Sequence, residues 1–286
     1  SEMFDSKVVN WAISELEKPH KKPFFLACGF TKPHLPWHVP RKYFDMHPLD
    51  KIVLPETLIN DREDLPVFGK KLAREVHDVS GPRNFAEHGE DHNMILKYNQ
   101  WYRAVQSYLA TISFVDFHVG RLLKALKESE HADNTIIVLW GDHGWHLGEK
   151  QHWRKHALWE TTTRTTLIIS APEQSAKNKL CQSPVSLIDL YPTIVQLCNL
   201  PVRNGLDGQS IVPLLQNPNR KWDRPVLTTF GKGNHAVRTK RWRYIRYHDG
   251  GEELYDHDAD PKEWTNLAKL SRYSSLIERL RKTIPK

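Results

Sequence analysis

The sequence predicts an α/β fold in which a mostly parallel sheet flanked by helices is followed by a small C-terminal antiparallel sheet with a terminal helix. Short apolar runs typical of strands buried on both faces lie at 23–29, 135–140 and 165–170. Helical patterns alternate with them, at 5–18, 92–130 and 186–198. This alternation of strands and helices is the order of a parallel α/β sheet.

From about residue 222 the pattern changes to short strands separated by turns. These strands are expected at 226–230, 235–239, 242–247 and 252–256, and a helix at about 272–283 closes them. We therefore predict two domains, 1–221 and 222–286. Residues 41–92 have many charges and prolines and little periodicity, which predicts a long irregular excursion over the surface.

The charge balance favours an anionic partner. The chain has 41 Lys and Arg against 34 Asp and Glu, a net charge of +7, and a basic surface suits sulfated or phosphorylated ligands. The densest basic cluster is Arg238, Lys240, Arg241, Arg243 and Arg246, with aromatic residues between them. It fits a strand with one basic and one aromatic face, or simply a solvated strand face. No nucleic-acid motif accompanies it, so nucleic acid is not an expected partner. No apolar run approaches the ~20 residues of a transmembrane helix.

The stretch after the second apolar run carries the strongest chemical signal. Gly141-Asp142-His143-Gly144 follows the strand directly, and in open α/β sheets ligands bind just beyond the carboxyl ends of strands. We therefore expect Asp142 and His143 to hold a metal or take part in catalysis. The alternative is a tight turn in which Asp142 bonds its own backbone. Of the four histidines in 143–156, we expect one to be a ligand.

A second loop follows the first apolar run in the same way. Prolines at 33, 36 and 40 stiffen residues 30–40, and Lys32 and His34 project from this loop. The parallel with the first loop favours a site role for these two side chains. The alternative is that His34 merely stacks on Trp37.

Three motifs, in the same order along the chain, resemble the sulfatases and in particular the iduronate-2-sulfatase-like group. They are Gly29-Phe-Thr-Lys32-Pro-His34-Leu-Pro-Trp37, then Gly141-Asp142-His143-Gly-Trp-His-Leu-Gly-Glu149 with Lys155 twelve residues after His143, and Glu253-Leu-Tyr-Asp-His-Asp-Ala-Asp-Pro-Lys-Glu263-Trp-Thr-Asn-Leu267. The resemblance runs from about residue 5 to residue 268. It implies the fold of the alkaline phosphatase superfamily.

The resemblance also implies a reaction, the hydrolysis of sulfate esters by a formylglycine beside a divalent cation. Asp142 and His143 match cation ligands, with Ca²⁺ expected first and Mg²⁺, Mn²⁺ or Zn²⁺ as alternatives. Lys155 and His34 match the catalytic residues that hold the sulfate and assist the leaving oxygen, and Lys32 is a weaker candidate for binding substrate. A cationic Lys or a protonated His suits this role because charge builds on the bridging oxygen in the transition state.

Two departures from the family pattern leave alternatives open. No Cys/Ser-x-Pro-x-Arg motif occurs, so the formylglycine is expected on an N-terminal segment of the same sulfatase, and the 286 residues alone are expected to be inactive. His143 stands where many sulfatases carry Asn, and an Asp–His pair suits zinc or manganese as well as calcium. The alternatives are therefore a metal-dependent phosphomonoester, phosphodiester or phosphonate hydrolase, and a non-catalytic glycan-binding remnant.

The expected substrate is a sulfated sugar or glycan, such as a glycosaminoglycan. Trp145 could stack on a sugar ring, although filling a core is an equally good role for it. His235 and Arg238, at the start of the antiparallel sheet, are further candidates for binding substrate. The family is usually exported to the periplasm or extracellular space, or lysosomal, and the sequence itself does not fix the compartment.

Overall fold

The computed structural model describes residues 3–74 and 91–285. The chain divides into two compact units, of which the first combines 1–54 with 95–135 and the second combines 55–94 with 136–286. The domain boundary expected at 221–222 stays a prediction. None of the described helices is both long and apolar enough to cross a lipid bilayer.

Regular structure within the described ranges follows the predicted order. The helices are α1 (Phe4–Leu16), α2 (Arg41–Asp45), α3 (Val67–Arg74), α4 (Asp91–Lys97), α5 (Trp101–Glu128), α6 (Glu160–Thr163), α7 (Leu190–Leu197), α8 (Val212–Gln216) and α9 (Ser274–Arg281). The strands are β1 (Ile137–Trp140), β2 (His146–Leu147), β3 (Trp153–Arg154), β4 (Leu167–Ser170), β5 (Val226–Thr229), β6 (His235–Arg238), β7 (Trp242–Arg246) and β8 (Glu252–Asp256). The single helix expected at 92–130 is two helices, α4 and α5, separated by a turn in which Asn99 has a φ of 50°.

The first unit is helical. Helix α5 presents an apolar stripe every three or four residues, and Ala110 and Phe114 of this stripe pack with Tyr43 of α2 in a small core. The strand expected at 23–29 is not formed, and Phe25 is 80% exposed. A strand needs a neighbouring backbone to complete its hydrogen-bond ladder, and no described strand of this unit pairs with the segment.

Strands β1 and β4, in the second unit, pair in antiparallel register, with Ile137 opposite Ser170 and Trp140 opposite Leu167. The parallel orientation expected for these two strands is therefore wrong. A parallel connection usually needs a helix that crosses the sheet, whereas residues 141–166 contain the β2–β3 hairpin, a three-residue 3-10 helix (Glu149–Gln151) and the four-residue α6. Strand β4 therefore runs back alongside β1 in the opposite direction.

The C-terminal sheet is an antiparallel meander in the order β5-β6-β7-β8, as predicted. Side-chain alternation places Val237, Tyr244 and Leu254 on the face that packs with Ile277 and Leu280 of α9. The opposite face packs on a second core built from Leu65, Leu72, Ala157, Leu158, Trp159, Ala236, Ile245, Tyr247 and Tyr255. A helix on one face and a loop-rich layer on the other thus bury both sides of the sheet.

The basic cluster does not form an exposed basic face on this sheet. Arg243 of β7 is only 2% exposed and lies on the same side of the strand as Ile245. A buried guanidinium is stable only when carboxylates balance its charge, and Glu160 and Glu263 lie against it. The expectation of a basic strand face is therefore wrong for Arg243, because two acidic residues far away in the sequence balance its charge.

Candidate active site

Two potential metal ligands lie side by side in the loop after β1. His143 donates from Nδ1 to the carbonyl oxygen of Gly144 at 2.7 Å. Because a carbonyl only accepts, this bond fixes the hydrogen on Nδ1 and leaves a lone pair on Nε2. That Nε2 lies 3.4 Å from Oδ2 of Asp142, and the Asp142 side chain is 84% exposed. A carboxylate oxygen and an imidazole lone pair therefore lie next to each other at the surface.

The loop itself explains why this pair has a fixed geometry. The backbone N–H of Gly144 donates to the carbonyl of Thr162 in α6 at 2.6 Å. A Cβ atom at position 144 would lie 2.0 Å from the Thr161 oxygen, and one at position 141 would lie 2.3 Å from Oγ1 of Thr165. Both Gly141 and Gly144 are therefore needed for the close approach that sets the direction of the loop.

The geometry of Asp142 includes the turn expected as the alternative, and its role as a metal ligand stays a prediction. Its Oδ1 accepts from the backbone N–H of His143 at 3.1 Å, as expected of a turn residue. Its Oδ2 points toward the His143 ring instead. Trp145 is buried and stacks on the His143 ring, with a centroid distance of 6.2 Å and an interplanar angle of 26°. These contacts hold both ligand atoms in place, so the donor set fits two positions of a divalent-cation site.

Lys155 follows the β2–β3 hairpin in the same unit. Its backbone carbonyl accepts from Nε2 of the buried His152 at 2.9 Å. The residues on either side, Arg154 and His156, have φ values of 68° and 69°. Within the described part of the chain, no hydrogen bond or ion pair is made by the Lys155 ammonium, and its side chain is half-buried. The positive charge of Lys155 is therefore not balanced by these residues.

Lys32 and His34 lie in the first unit, in the proline-rich loop. Lys32 is buried, its ammonium donates to the carbonyl of Pro36 at 2.6 Å, and its backbone N–H donates to Asp5 at 3.0 Å. These bonds favour a role for Lys32 in holding the loop. His34 is exposed and donates from Nδ1 to the carbonyl of Leu35 at 2.7 Å. This bond orients the imidazole ring of His34 within the loop.

The expected stacking partner of His34 has contacts of its own. Trp37 donates from Nε1 to the carbonyl of Pro33 at 2.9 Å. Its ring meets Tyr108 edge-on, with a centroid distance of 5.9 Å. The peptide bonds before Pro33 and Pro36 are cis. Trp37 therefore packs into the same loop that presents His34.

Two further candidates lie on β6. His235 is half-buried, and its Nδ1 lies 2.9 Å from Oγ1 of Thr229 on the neighbouring strand. Arg238 donates from Nε to Glu160 at 3.0 Å, and its Nη2 lies 2.9 Å from Nδ1 of His257. These bonds favour a structural role for Arg238. Substrate binding by His235, Arg238 and Trp145 stays a prediction.

A cluster of two glutamates and a histidine, which the sequence analysis did not identify, also resembles a metal site. Ligand atoms of Glu160, His257 and Glu263 lie within 4.8 Å of one another. Arg243 and Arg238 contact the same carboxylates, however. Burial would raise the pKa of Glu160, but the two guanidinium groups outweigh this effect and lower that pKa to about 2. The charge that would attract a cation is thus already balanced, and we interpret the group as an ion-pair network.

Comparison with protein families identifies the class of this chain. Residues 1–200 match the sulfatase family model, and residues 148–286 match the model described as N-sulphoglucosamine sulphohydrolase, C-terminal. The chain therefore belongs to the sulfatase family, and the resemblance found in the sequence motifs is confirmed.

Among curated relatives, a sulfatase of Formosa agariphila is 40% identical over 99% of this chain and 54% of that protein. The iduronate 2-sulfatase of Mus musculus is 27% identical over 97% of this chain and 57% of that protein. The chain therefore spans about half the length of these relatives.

Two solved structures show the same fold. One, in complex with its substrate D-glucosamine-2-N,6-O-disulfate, superposes with a TM-score of 0.74 at 22% identity and covers 98% of this chain and 68% of its own. The phosphonate monoester hydrolase of Silicibacter pomeroyi superposes with a TM-score of 0.81 at 23% identity, over 98% of this chain and 59% of its own. The predicted α/β fold of the sulfatase type is thereby confirmed.

Proposed function

We propose that the full-length protein is a sulfuric ester hydrolase that acts on a sulfated sugar or glycan. In this proposal the chain contributes part of a cation site and part of a sulfate-binding site. The observation that carries the proposal is the exposed pair of ligand atoms, Asp142 Oδ2 and His143 Nε2, in a chain of the sulfatase family. The net charge of +7 is consistent with an anionic substrate.

Asp142 and His143 would hold the divalent cation, for which Ca²⁺ is the first candidate and Mg²⁺, Mn²⁺ and Zn²⁺ are alternatives. When bound, such a cation neutralises charge on the sulfate oxygens and on the attacking oxygen. We place the nucleophile, a formylglycine, in a part of the protein outside these residues, because they contain no Cys/Ser-x-Pro-x-Arg motif. A segment of the same protein that carries this motif is then the expected partner.

Lys155 and His34 would act on the sulfate and the leaving oxygen. When the S–O bond breaks, negative charge builds on the bridging oxygen, and a cation or a proton donor beside it lowers the barrier. The Lys155 ammonium suits this role because the described residues do not balance its charge. His34 suits it because an imidazole protonated on both nitrogens can give a proton to the leaving oxygen, and the bond from Nδ1 to the Leu35 carbonyl orients its ring.

The class of substrate is proposed from two observations. A structural relative was solved with its substrate D-glucosamine-2-N,6-O-disulfate, and a curated relative is named for the 2-sulfate of iduronate. Trp145 and His235 are candidates for contact with the sugar. Trp145 is largely buried under His143, so only an edge of its ring would be in reach.

The test compares aryl sulfate with aryl phosphate hydrolysis by the full-length protein and by its Lys155→Ala and His34→Ala variants. We expect a sulfate preference, and a fall in kcat/KM of about 10²-fold or more in each variant, which is typical when one charge-stabilising group is removed. Lys177→Ala, which removes an exposed lysine, serves as the control and is expected to leave kcat/KM unchanged. A phosphate preference that is indifferent to Lys155 would reject the proposal.

A second candidate is hydrolysis of phosphonate monoesters, because a hydrolase of that class superposes with a TM-score of 0.81. An Asp–His pair also binds zinc and manganese readily. Preferred cleavage of an aryl phosphonate monoester by the protein loaded with Zn²⁺ or Mn²⁺ would favour this alternative over the sulfatase.

A further inference from the structure

Glu263, in the third sequence motif, contacts both ends of the segment that carries Lys155. Its carboxylate Oε2 accepts from the backbone N–H of Glu160 at 2.8 Å. Its backbone carbonyl accepts from the ammonium of Lys150. Lys150 and Glu160 stand at equal separations before and after Lys155 in the chain. One residue from the C-terminal sheet region thus holds the start and the end of residues 150–160.

The Glu263 carboxylate is held as an anion. It is 2% exposed, and its Oε1 lies 2.5 Å from Nε of Arg243 and 2.8 Å from Nε2 of His257. Burial would raise the pKa of Glu263, but Arg243 and His257 outweigh burial and lower that pKa. The bond to the Glu160 N–H is therefore made by an ionised group, and such bonds are stronger than those between neutral partners.

The other end of the segment is equally enclosed. The Lys150 side chain is buried, and its ammonium donates to Oδ1 of Asp61 at 2.9 Å. The same ammonium lies 5.2 Å from the ring centroid of Tyr255 and 5.6 Å from that of Trp159. The hydrogen bond from Lys150 to Asp61 is stronger in this low-dielectric interior than it would be at the surface. Both ends of residues 150–160 are thus fixed within the core.

The middle of the segment has a backbone conformation that needs such support. Arg154 and His156, on either side of Lys155, both have φ near +70°, a region that residues with a Cβ atom adopt only at an energetic cost. Residues in this region persist where the surrounding structure imposes it. If the ends were released, the backbone at Lys155 would relax, and the direction of its side chain would change with it.

We propose that Glu263 is a positioning residue for Lys155: by holding Lys150 and Glu160 together, it fixes the direction in which the Lys155 ammonium points. This inference rests on the proposed role of Lys155 at the leaving oxygen. Glu263 does not touch the substrate, so its whole effect on the reaction passes through Lys155. Loss of Glu263 should therefore matter only while Lys155 is present.

A double-mutant cycle in the full-length protein tests this dependence, with Glu263→Gln, Lys155→Ala and both together. Gln leaves the backbone carbonyl that Lys150 contacts in place. It removes the negative charge that faces Arg243, His257 and the Glu160 N–H, so the Glu160 end of the segment loses its charge-assisted bond and is loosened. We expect Glu263→Gln alone to lower kcat for an aryl sulfate with a poor leaving group by about 10- to 100-fold, as misplacement of a reacting group does. KM should change little. In the Lys155→Ala background the same substitution should lower kcat by less than about twofold, because coupled residues are non-additive.

Asp189→Asn is the matched control. Asp189 is also a fully buried carboxylate that is paired with an arginine, Arg224, at 2.7 Å and accepts from backbone N–H groups of Ser186 and Gln209. It makes no recorded contact with residues 150–160 in the described part of the chain. Any effect of Asp189→Asn on kcat should therefore be the same factor with and without Lys155. If Glu263→Gln behaves in the same additive way, or leaves kcat unchanged, the proposal is overturned.

Hydrogen exchange separates this inference from the proposed function. Amides of 150–160 should exchange at least about tenfold faster in Glu263→Gln than in the wild type, and at the wild-type rate in Asp189→Asn. A wild-type protein that hydrolyses no sulfate ester would reject the proposed function, whereas unchanged exchange at 150–160 would overturn the positioning role by itself. If Glu263→Gln fails to fold, Lys150→Met releases the other end of the segment and should give the same kinetic and exchange pattern.

Discussion

Two groups of side chains in the second unit have the donor atoms of a metal site. They differ in whether neighbouring arginines already balance the negative charge of their carboxylates. Asp142 and His143 lie in a surface loop, and among the described residues Oδ2 of Asp142 is paired with the imidazole alone. Glu160, His257 and Glu263 bring three ligand atoms within 4.8 Å of one another, but Arg238 and Arg243 share their carboxylates. The difference teaches that proximity of ligand atoms does not define a metal site. What matters is whether negative charge is left for a cation to balance.

The same comparison separates function from stability. An exposed metal-binding side chain contributes little to the free energy of folding, because it is hardly desolvated and makes few packing contacts. A buried ion-pair network has the opposite property, since removal of one partner leaves an uncompensated charge in the interior. The two groups should therefore respond in opposite ways to substitution, and four predictions follow this contrast from the largest expected effect to the smallest.

The largest effect is expected for Asp142→Ala, measured as kcat/KM for an aryl sulfate in the full-length protein. We expect a loss of about 10³-fold, comparable to removal of a strong electrostatic stabiliser, because the carboxylate is proposed to hold the cation. The melting temperature measured without added cation should stay within about 2 °C of the wild type, since the side chain is 84% exposed. Asp223→Asn, in an exposed ion pair with Lys221, is the control for both measurements. A large fall in melting temperature with full activity would reverse the assignment.

Glu160→Gln should instead reduce the free energy of unfolding by about 3 kcal/mol, as expected when a buried pair loses one partner. The pKa of Glu160 lies at about 2 in the fold, against an ordinary value of 4.5. This contribution is therefore fully present above about pH 4.5 and is lost as the pH falls toward 2. Urea denaturation at pH 7 and pH 3.5 measures it, and Glu17→Gln, at an exposed residue just after α1, is the control. An equal loss at both pH values would contradict the ionised network.

Acid should also act on the buried histidines near the β2–β3 hairpin. Burial is the main cause that lowers the pKa of His146 well below 6.5, and the charge of the neighbouring His152 is the second. The two rings meet edge-on, with their centroids 4.9 Å apart. The folded protein therefore binds fewer protons than the unfolded chain below pH 6.5, and stability falls as the pH drops through that range. We expect the loss between pH 7.5 and 5.5 to be about 1–2 kcal/mol. His146→Asn should make the slope shallower, whereas a slope equal to that of the wild type would exclude His146 as the cause.

The smallest effect is expected for the ion pair between the half-exposed Arg241 and Asp256, at the edge of the same sheet. Arg241 donates to Asp256 at 2.6 and 2.8 Å, but its side chain is half exposed. Arg241→Gln should therefore reduce the free energy of unfolding by less than about 1 kcal/mol, measured by urea denaturation beside Arg243→Gln. A loss as large as that of the buried Arg243 would show that burial does not separate the two arginines.

Much of the fold could be predicted from the sequence because its signals are local. The apolar stripe of α5 and the alternation in β5 to β8 are each visible within ten to thirty residues, so periodicity alone locates these elements. The loop after β1 was also predictable, since Gly141, Asp142, His143 and Gly144 are adjacent in the chain. Local proximity was enough to identify the candidate ligand pair.

What could not be predicted depends on residues far apart in the sequence. Glu160 and Glu263 are separated by 103 residues, and no pattern within either segment shows that one bonds the other. The direction of β4 relative to β1 is set by the path of residues 141–166, not by the composition of the strands. The apolar run at 23–29 has strand-like residues, but a strand forms only where another backbone completes its ladder.

One signal for the network was nevertheless present in the sequence. Glu263 lies in the third motif, and Arg238 and Arg243 lie in the densest basic cluster. Buried acidic and basic residues need partners of opposite charge, so an unexplained basic cluster and an unexplained acidic motif could have been paired. Sequence reasoning instead left the cluster as either a basic or a solvated strand face and named Arg238 as a candidate for binding substrate.

The most direct test of this account is the amount of divalent cation bound by the full-length protein, determined by metal analysis after equilibration with Ca²⁺ and, in a parallel sample, Zn²⁺. The account expects bound cation in the wild type and in Glu160→Gln, and its loss in Asp142→Ala. Retention of the cation in Asp142→Ala, together with its loss in Glu160→Gln, would contradict the assignment of the two groups.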